Sequence, residues 1–156
     1  MLSRFGYSDL AFKMITREDY PSYGNWVKRG ATTLRENFLP DNGASMNHHF
    51  WGDVSAWFIK CVAGMGLNLS KHNVNELKIA PSFIEKMEYA AAYHIAPAGK
   101  IAVSWRRWEQ GIVLDMQIPM GMHAVAQLPA RFCFEDGTYT KPIVSGTYRI
   151  LTYSCD

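Results

Sequence analysis

Residues 30–38 read GATTLRENF: four small residues, Gly30, Ala31, Thr32 and Thr33, followed three positions on by the carboxylate of Glu36. Small residues let the backbone pass close to a neighbouring surface, and Thr hydroxyls hydrogen-bond there, so the acid behind them can be aimed. A held carboxylate can act as a general acid or base, whereas an ordinary exposed loop acid does no chemistry. The residues alone leave both readings open.

Two histidines follow at 48 and 49. Adjacent residues on a regular helix point about 100° apart, so the pair cannot chelate one metal ion, and no zinc or dinuclear site is expected. His49 falls on a polar helix face one turn before Asp53, which fits a surface pair. His48 sits at the edge of the apolar face near Trp51 and Ser55, either as a half-buried structural ring or as a ligand contact at a pocket mouth. Tyr20, Tyr23, Trp26, Trp51 and Trp57 read as core, although rings of this kind also stack on the apolar face of a sugar. No Ser lies in a nucleophile-elbow context, and Gly64 and Gly66 precede a loop rather than a phosphate-binding helix. No cofactor is implied.

Composition narrows the setting. The 156 residues are 48% hydrophobic and 13% aromatic, enough for a sizeable core. Sixteen Lys and Arg against fourteen Asp and Glu give a net charge of +2, too balanced to select nucleic acid or an anionic membrane surface. Cys61, Cys133 and Cys155 form an odd set without CxxC spacing and read as core or incidental thiols. No apolar run reaches membrane-spanning length, and Asp9 interrupts what a signal peptide would need as an unbroken apolar stretch, so a soluble chain without a signal peptide is expected, in no named compartment.

The elements that must position these residues divide in two. From Tyr7 the pattern is helical: a helix over DLAFKMI, a second with Pro21 at its start and Gly30 as its stop, then a polar loop, LPDNGAS, and one long helix over NHHFWGDVSAWFIKCVAGM. On that helix Phe50, Trp51, Val54, Trp57, Phe58, Cys61 and Val62 fall on one broad face. Near GLNLSKHNV, at residues 66–74, the period changes. Ile101, Val103 and Trp105 then alternate with Ala102, Ser104 and Arg106, and Ile112, Leu114, Met116 and Ile118 with Val113, Asp115 and Gln117, joined by a hairpin ending at Gly111. Further runs at EYAAAYHI, GMHAVAQLP and SGTYRILTY complete a set of antiparallel strands, an all-β sandwich. Three helices with wide apolar faces cannot bury those faces among themselves. The expectation is of further helices upstream or a partner chain, and of self-association where neither is present.

Read in order, GYSDLAFKMITREDYPSYGNWVKRGATTLRENF, SMNHHFWGDVSAWFIKCVAGM, GKIAVSW and SGTYRI resemble the C-terminal part of the alpha-L-rhamnosidases of glycoside hydrolase family 78, over nearly the whole chain. The resemblance implies an α+β chain: residues 1–70 as the terminal helices of an incomplete (α/α)6 barrel, and residues 71–156 as the C-terminal antiparallel β-sandwich. It implies a hydrolase of rhamnosides that works with inversion. Glu36 is similar in position to the family's general base, and His48 to the residue that contacts the rhamnose hydroxyls. An inverting enzyme also needs a general acid roughly 6.5–9.5 Å from the base, with a raised pKa while the base stays ionised. In the family that acid lies well upstream, and Glu18, Asp19 and Asp53 are poor substitutes, so this chain alone is expected not to hydrolyse. Arg35 stands where such families carry Trp. A guanidinium there replaces a ring with a cation and lowers the pKa of a nearby carboxylate. The loop from Leu39 to Ser45 is also short. A non-catalytic module, binding sugar or supporting a partner, is the alternative function.

Overall fold

Local start and stop signals shape the helical part of the chain in the computed structural model, which describes residues 1–39, 44–68 and 73–155. A 3-10 turn over Leu2–Phe5 ends at Gly6, whose φ of 82° suits a residue without Cβ. Helix α1 then runs over Ser8–Thr16 and α2 over Tyr23–Lys28. Ser22, not Pro21, starts α2. Its hydroxyl accepts the Asn25 N–H at 3.0 Å, satisfying one of the donors that a helix start leaves free, and Pro21 lies just outside. At the other end Gly30 takes a φ of 77°, its N–H donates to the Val27 carbonyl, and the Ala31 N–H donates to the Trp26 carbonyl, each at 2.9 Å. This double closure is the Schellman stop that Gly30 was expected to supply.

The long helix expected after residue 46 does not form as one element. His48 is extended, His49–Gly52 is a 3-10 turn, α3 covers only Asp53–Trp57, and Phe58–Val62 is a π-helical turn in which the Ala63 N–H reaches the Phe58 carbonyl at 2.9 Å. Gly52 in the middle disfavours a continuous helix, and each change of period rotates the residues after it, so one 100° wheel no longer holds. Phe50, placed on the apolar face by that wheel, is 72% exposed.

Contacts divide the chain into two units, Met1–Trp57 and Phe58–Asp156. Within the first, the Trp57 indole N–H donates to the Ser3 hydroxyl at 2.7 Å, tying the last helix to the first turn. The second unit holds nine strands among the described residues, in two sheets. One has the order β1 (Met65–Leu67), β2 (Glu76–Ile79), β6 (His123–Gln127), β8 (Thr140–Ile143). The other has the order β3 (Tyr89–Ala96), β4 (Gly99–Trp108), β5 (Gly111–Ile118), β9 (Gly146–Ser154), β7 (Phe132–Phe134). The alternation read from the sequence holds except at Val113: Ile101, Val103, Trp105, Ile112, Leu114, Met116 and Ile118 are buried, and Val113, on the opposite side of its strand, is buried as well. Trp105 also donates its indole N–H to the Val62 carbonyl at 2.8 Å, so the largest core side chain leaves no donor unpaired.

Three expectations need correction. Strands begin at Met65, the last residue of the stretch read as helix, and run into the stretch read as a connection, because Gly64, at a φ of 81°, lets the chain turn against Pro81 where an added Cβ would strike the Pro81 backbone. The sheet is not wholly antiparallel: β2 and β6 pair in parallel, since a long excursion through the second sheet separates them. Cys133 and Cys155 are not incidental thiols but a disulfide, with Cα atoms 6.0 Å apart. β7 and β9 pair Cys133 with Tyr153, two residues before Cys155, a closeness that only the register reveals. Cys61 is a free, half-buried thiol. The middle of the expected polar loop, residues 40–43, and residues 69–72 of the expected connection lie outside the described residues.

Asp136 closes the turn between β7 and β8. Its carboxylate accepts the Thr138 hydroxyl at 2.6 Å and the Thr138 N–H at 3.0 Å, with Lys141 at 3.1 Å, and these donors hold its pKa at about 2. A carboxyl depressed from about 3.8 in the unfolded chain adds stability that is present above pH 4 and lost as pH falls toward 2. Asp136→Asn should therefore be less stable than the parent near neutrality, and the gap should close on acid titration of the melting temperature. A gap independent of pH would contradict this role.

Candidate active site

Glu36 is fixed along both of its backbone edges. Its N–H donates to the Ser45 carbonyl at 2.8 Å, and its own carbonyl accepts the Trp51 indole N–H at 2.9 Å. The carboxylate is fixed too: Oε2 accepts the Ser45 N–H at 2.9 Å. Oε1 has no partner among the described residues, and Glu36 is exposed. An acid restrained in this way differs from a loop acid free to rotate.

The same clip carries His48. The His48 N–H donates to the Leu34 carbonyl at 2.7 Å, and the Thr33 hydroxyl donates to the Met46 carbonyl. Residues 33–36 thus run alongside residues 45–48, and the two residues singled out from sequence lie on adjoining stretches. His48 is not in the first turn of a helix, as its position suggested, but precedes the 3-10 turn in extended backbone, with φ −120° and ψ 113°. Its ring is half-buried beside Phe50, with centroids 4.9 Å apart, and its Nδ1 is buried with no hydrogen-bond partner among the described residues. A buried ring nitrogen without a partner costs free energy unless something outside the chain satisfies it. His49 stacks on Phe50 at 4.8 Å and forms no ion pair with Asp53.

What holds the clip is an aromatic cluster. Tyr23, Trp26, Phe38 and Trp51 all touch one another, with centroid separations from 4.5 Å for the stacked Trp26 and Phe38 to 6.3 Å for Trp26 and Trp51. Trp26 is 4% exposed and anchors the set. The Tyr23 hydroxyl donates to the Trp51 carbonyl at 3.2 Å; partial burial, with the Asp53 carboxylate adding to it, pushes the phenol pKa up. Sequence reasoning named three of these rings but passed over Phe38. Its only signal was its place two residues after Glu36.

Residues 1–62 match the bacterial alpha-L-rhamnosidase six-hairpin glycosidase domain, and residues 66–132 match the bacterial alpha-L-rhamnosidase C-terminal domain. The chain belongs to the alpha-L-rhamnosidases, as their C-terminal portion. An alpha-L-rhamnosidase of Alteromonas sp. (strain LOR) is 28% identical across 90% of this chain, which spans 16% of that relative's length. The solved alpha-L-rhamnosidase of Dictyoglumus thermophilum superposes with a TM-score of 0.85 at 25% identity, over 98% of this chain and 20% of the other. The Streptomyces avermitilis alpha-L-rhamnosidase solved with L-rhamnose gives 0.82, also at 25% identity, over 98% of this chain and 17% of the other.

Two further acids of the first unit are paired elsewhere. Glu18 pairs with Lys28 and Asp19 with Arg17, both at 2.7 Å, and the Arg17 hydrogen bonds hold the Asp19 carboxyl below its usual range. Arg35 and Glu36 form no ion pair, and the Arg35 Nε is buried without a partner among the described residues. Among the described residues no three His, Cys, Asp or Glu side chains converge to hold a metal ion, and no helix is long and apolar enough to cross a membrane.

Trp51→Phe keeps a ring in the cluster and removes the donor to Glu36. It should cost about 1 kcal/mol in chemical denaturation followed by tryptophan fluorescence, the net worth of one such bond. No measurable loss would show that the bond does not hold the clip.

Proposed function

We propose that this chain is the C-terminal part of an inverting alpha-L-rhamnosidase that releases terminal alpha-L-rhamnose from glycosides, with Glu36 as general base and His48 as a sugar contact. Residues 1–70 would then supply the last helices of the six-hairpin barrel and residues 71–156 the C-terminal sandwich. The reading rests above all on the Glu36 carboxylate, with Oε2 held by the Ser45 N–H and Oε1 without a partner among the described residues, where a water molecule would be taken up. The Nδ1 of His48 on the adjoining stretch, without a partner among the described residues, supports it, because a sugar hydroxyl would supply one.

In this mechanism Oε1 of Glu36 takes a proton from water as the water oxygen bonds to the anomeric carbon. The bond from that carbon to the leaving oxygen breaks on the opposite face, and a general acid protonates that oxygen. That acid would come from a barrel segment outside this chain, which spans 16% of the Alteromonas relative. The chain by itself would therefore carry half of the catalytic pair and turn nothing over.

The test uses the complete reading frame or the chain joined to its barrel, assayed on an aryl alpha-L-rhamnoside. Glu36→Gln should lower kcat by about 10^2- to 10^4-fold, the usual share of general acid–base catalysis. His48→Ala should act mainly by raising KM. Retained turnover in Glu36→Gln would sink the general-base role.

A further inference from the structure

The five-stranded sheet buries one face and leaves the other open, and register decides what the open face carries. Tyr93, Ala102, Gln117 and Thr147 lie across four strands in one row; Ala91, Ser104, Asp115 and Arg149 lie in the next. Small side chains, Ala91, Ala102 and Ser104, therefore floor the centre, between Tyr93 and Lys100 on one flank and Arg149 on the other. The result is a groove of about 820 Å3, the size of a site for a small ligand.

Its polar groups are only partly spent. Arg149 and Asp115 form a two-point pair at 2.7 and 3.3 Å, which cancels one charge of each sign. Lys100 has no carboxylate partner among the described residues and lies instead 5.2 Å from the Tyr93 ring centroid, leaving the groove one positive charge. Ser104, Gln117 and Thr147 make no side-chain hydrogen bond among the described residues. The groove thus offers an exposed aromatic ring, free donors and acceptors side by side, and one uncompensated cation.

We propose that this groove is a second saccharide site, taking a sugar that carries a carboxylate. Pyranose hydroxyls both donate and accept, as the Gln117 amide and the Ser104 and Thr147 hydroxyls require, while the apolar face of the ring packs on Tyr93. The ligand carboxylate moves to Lys100, where a charge-assisted hydrogen bond replaces the weaker contact with the ring. The site is built from the sandwich alone and owes nothing to Glu36.

The test is calorimetric titration of the whole chain with disaccharides of glucuronate and galacturonate, each matched with its neutral glucose or galactose counterpart. An acidic disaccharide should bind saturably, and its neutral counterpart at least about tenfold more weakly. Lys100→Gln should reduce acidic binding to the neutral level, Tyr93→Ala should weaken both, and Tyr93→Phe should keep both, since the ring remains. The side chains are exposed, so the variants should melt with the parent. Binding should persist in Glu36→Gln. Absence of saturable binding, equal binding of acidic and neutral sugars, binding unchanged by both Lys100→Gln and Tyr93→Ala, or loss of binding in Glu36→Gln would each overturn the assignment.

Discussion

The indole N–H of Trp51, donated to the Glu36 carbonyl, links the candidate catalytic carboxylate to a packed core. Trp51 is itself held among Tyr23, Trp26 and Phe38, rings that bury large areas and gain further from edge-to-face and stacked contacts. The stop at Gly30 turns the chain out of α2 and into the clip. From there Thr33, Leu34 and Glu36 are hydrogen-bonded to the stretch from Ser45 to His48. The carboxylate is thus positioned by a sequence of constraints, each with a nameable residue, and little of its aim is left to the loop's own preference. A group so restrained loses less entropy when it holds a water molecule in line.

Much of this was legible in the sequence, for physical reasons. Glycine at a helix end and a period of two along a strand reflect backbone sterics and burial, which act locally, so the Gly30 stop and the inward rows of β4 and β5 followed from the residues. What escaped depended on distant parts of the chain. The Cys133–Cys155 bridge is formed through the pairing of β7 with β9, and no spacing rule encodes a register. The parallel pairing of β2 with β6 escaped for the same reason. The long helix failed because Gly52 and two changes of helical period divided what hydrophobicity alone joined, and His48 moved with it into extended backbone. The importance of Phe38 appeared only once three other rings surrounded it.

The two units show different uses of aromatic side chains. In the first, four rings form a small cluster whose purpose is to hold a clip. In the second, Trp105 is buried in the sandwich with its N–H satisfied by Val62, while Tyr93 stands on the open face beside small residues. Burial and exposure of the same chemical type separate packing from recognition, because an exposed ring beside unspent polar groups gains nothing from the fold itself.

If Glu36 activates water for attack on the anomeric carbon, a nucleophile that needs no deprotonation should replace it: in the complete protein, Glu36→Ala is given azide and an activated aryl alpha-L-rhamnoside. The prediction is restored cleavage with formation of the beta-rhamnosyl azide, since the azide takes the place of the water on the face that Glu36 serves. Turnover to rhamnose in Glu36→Ala at the parent rate without azide would contradict it.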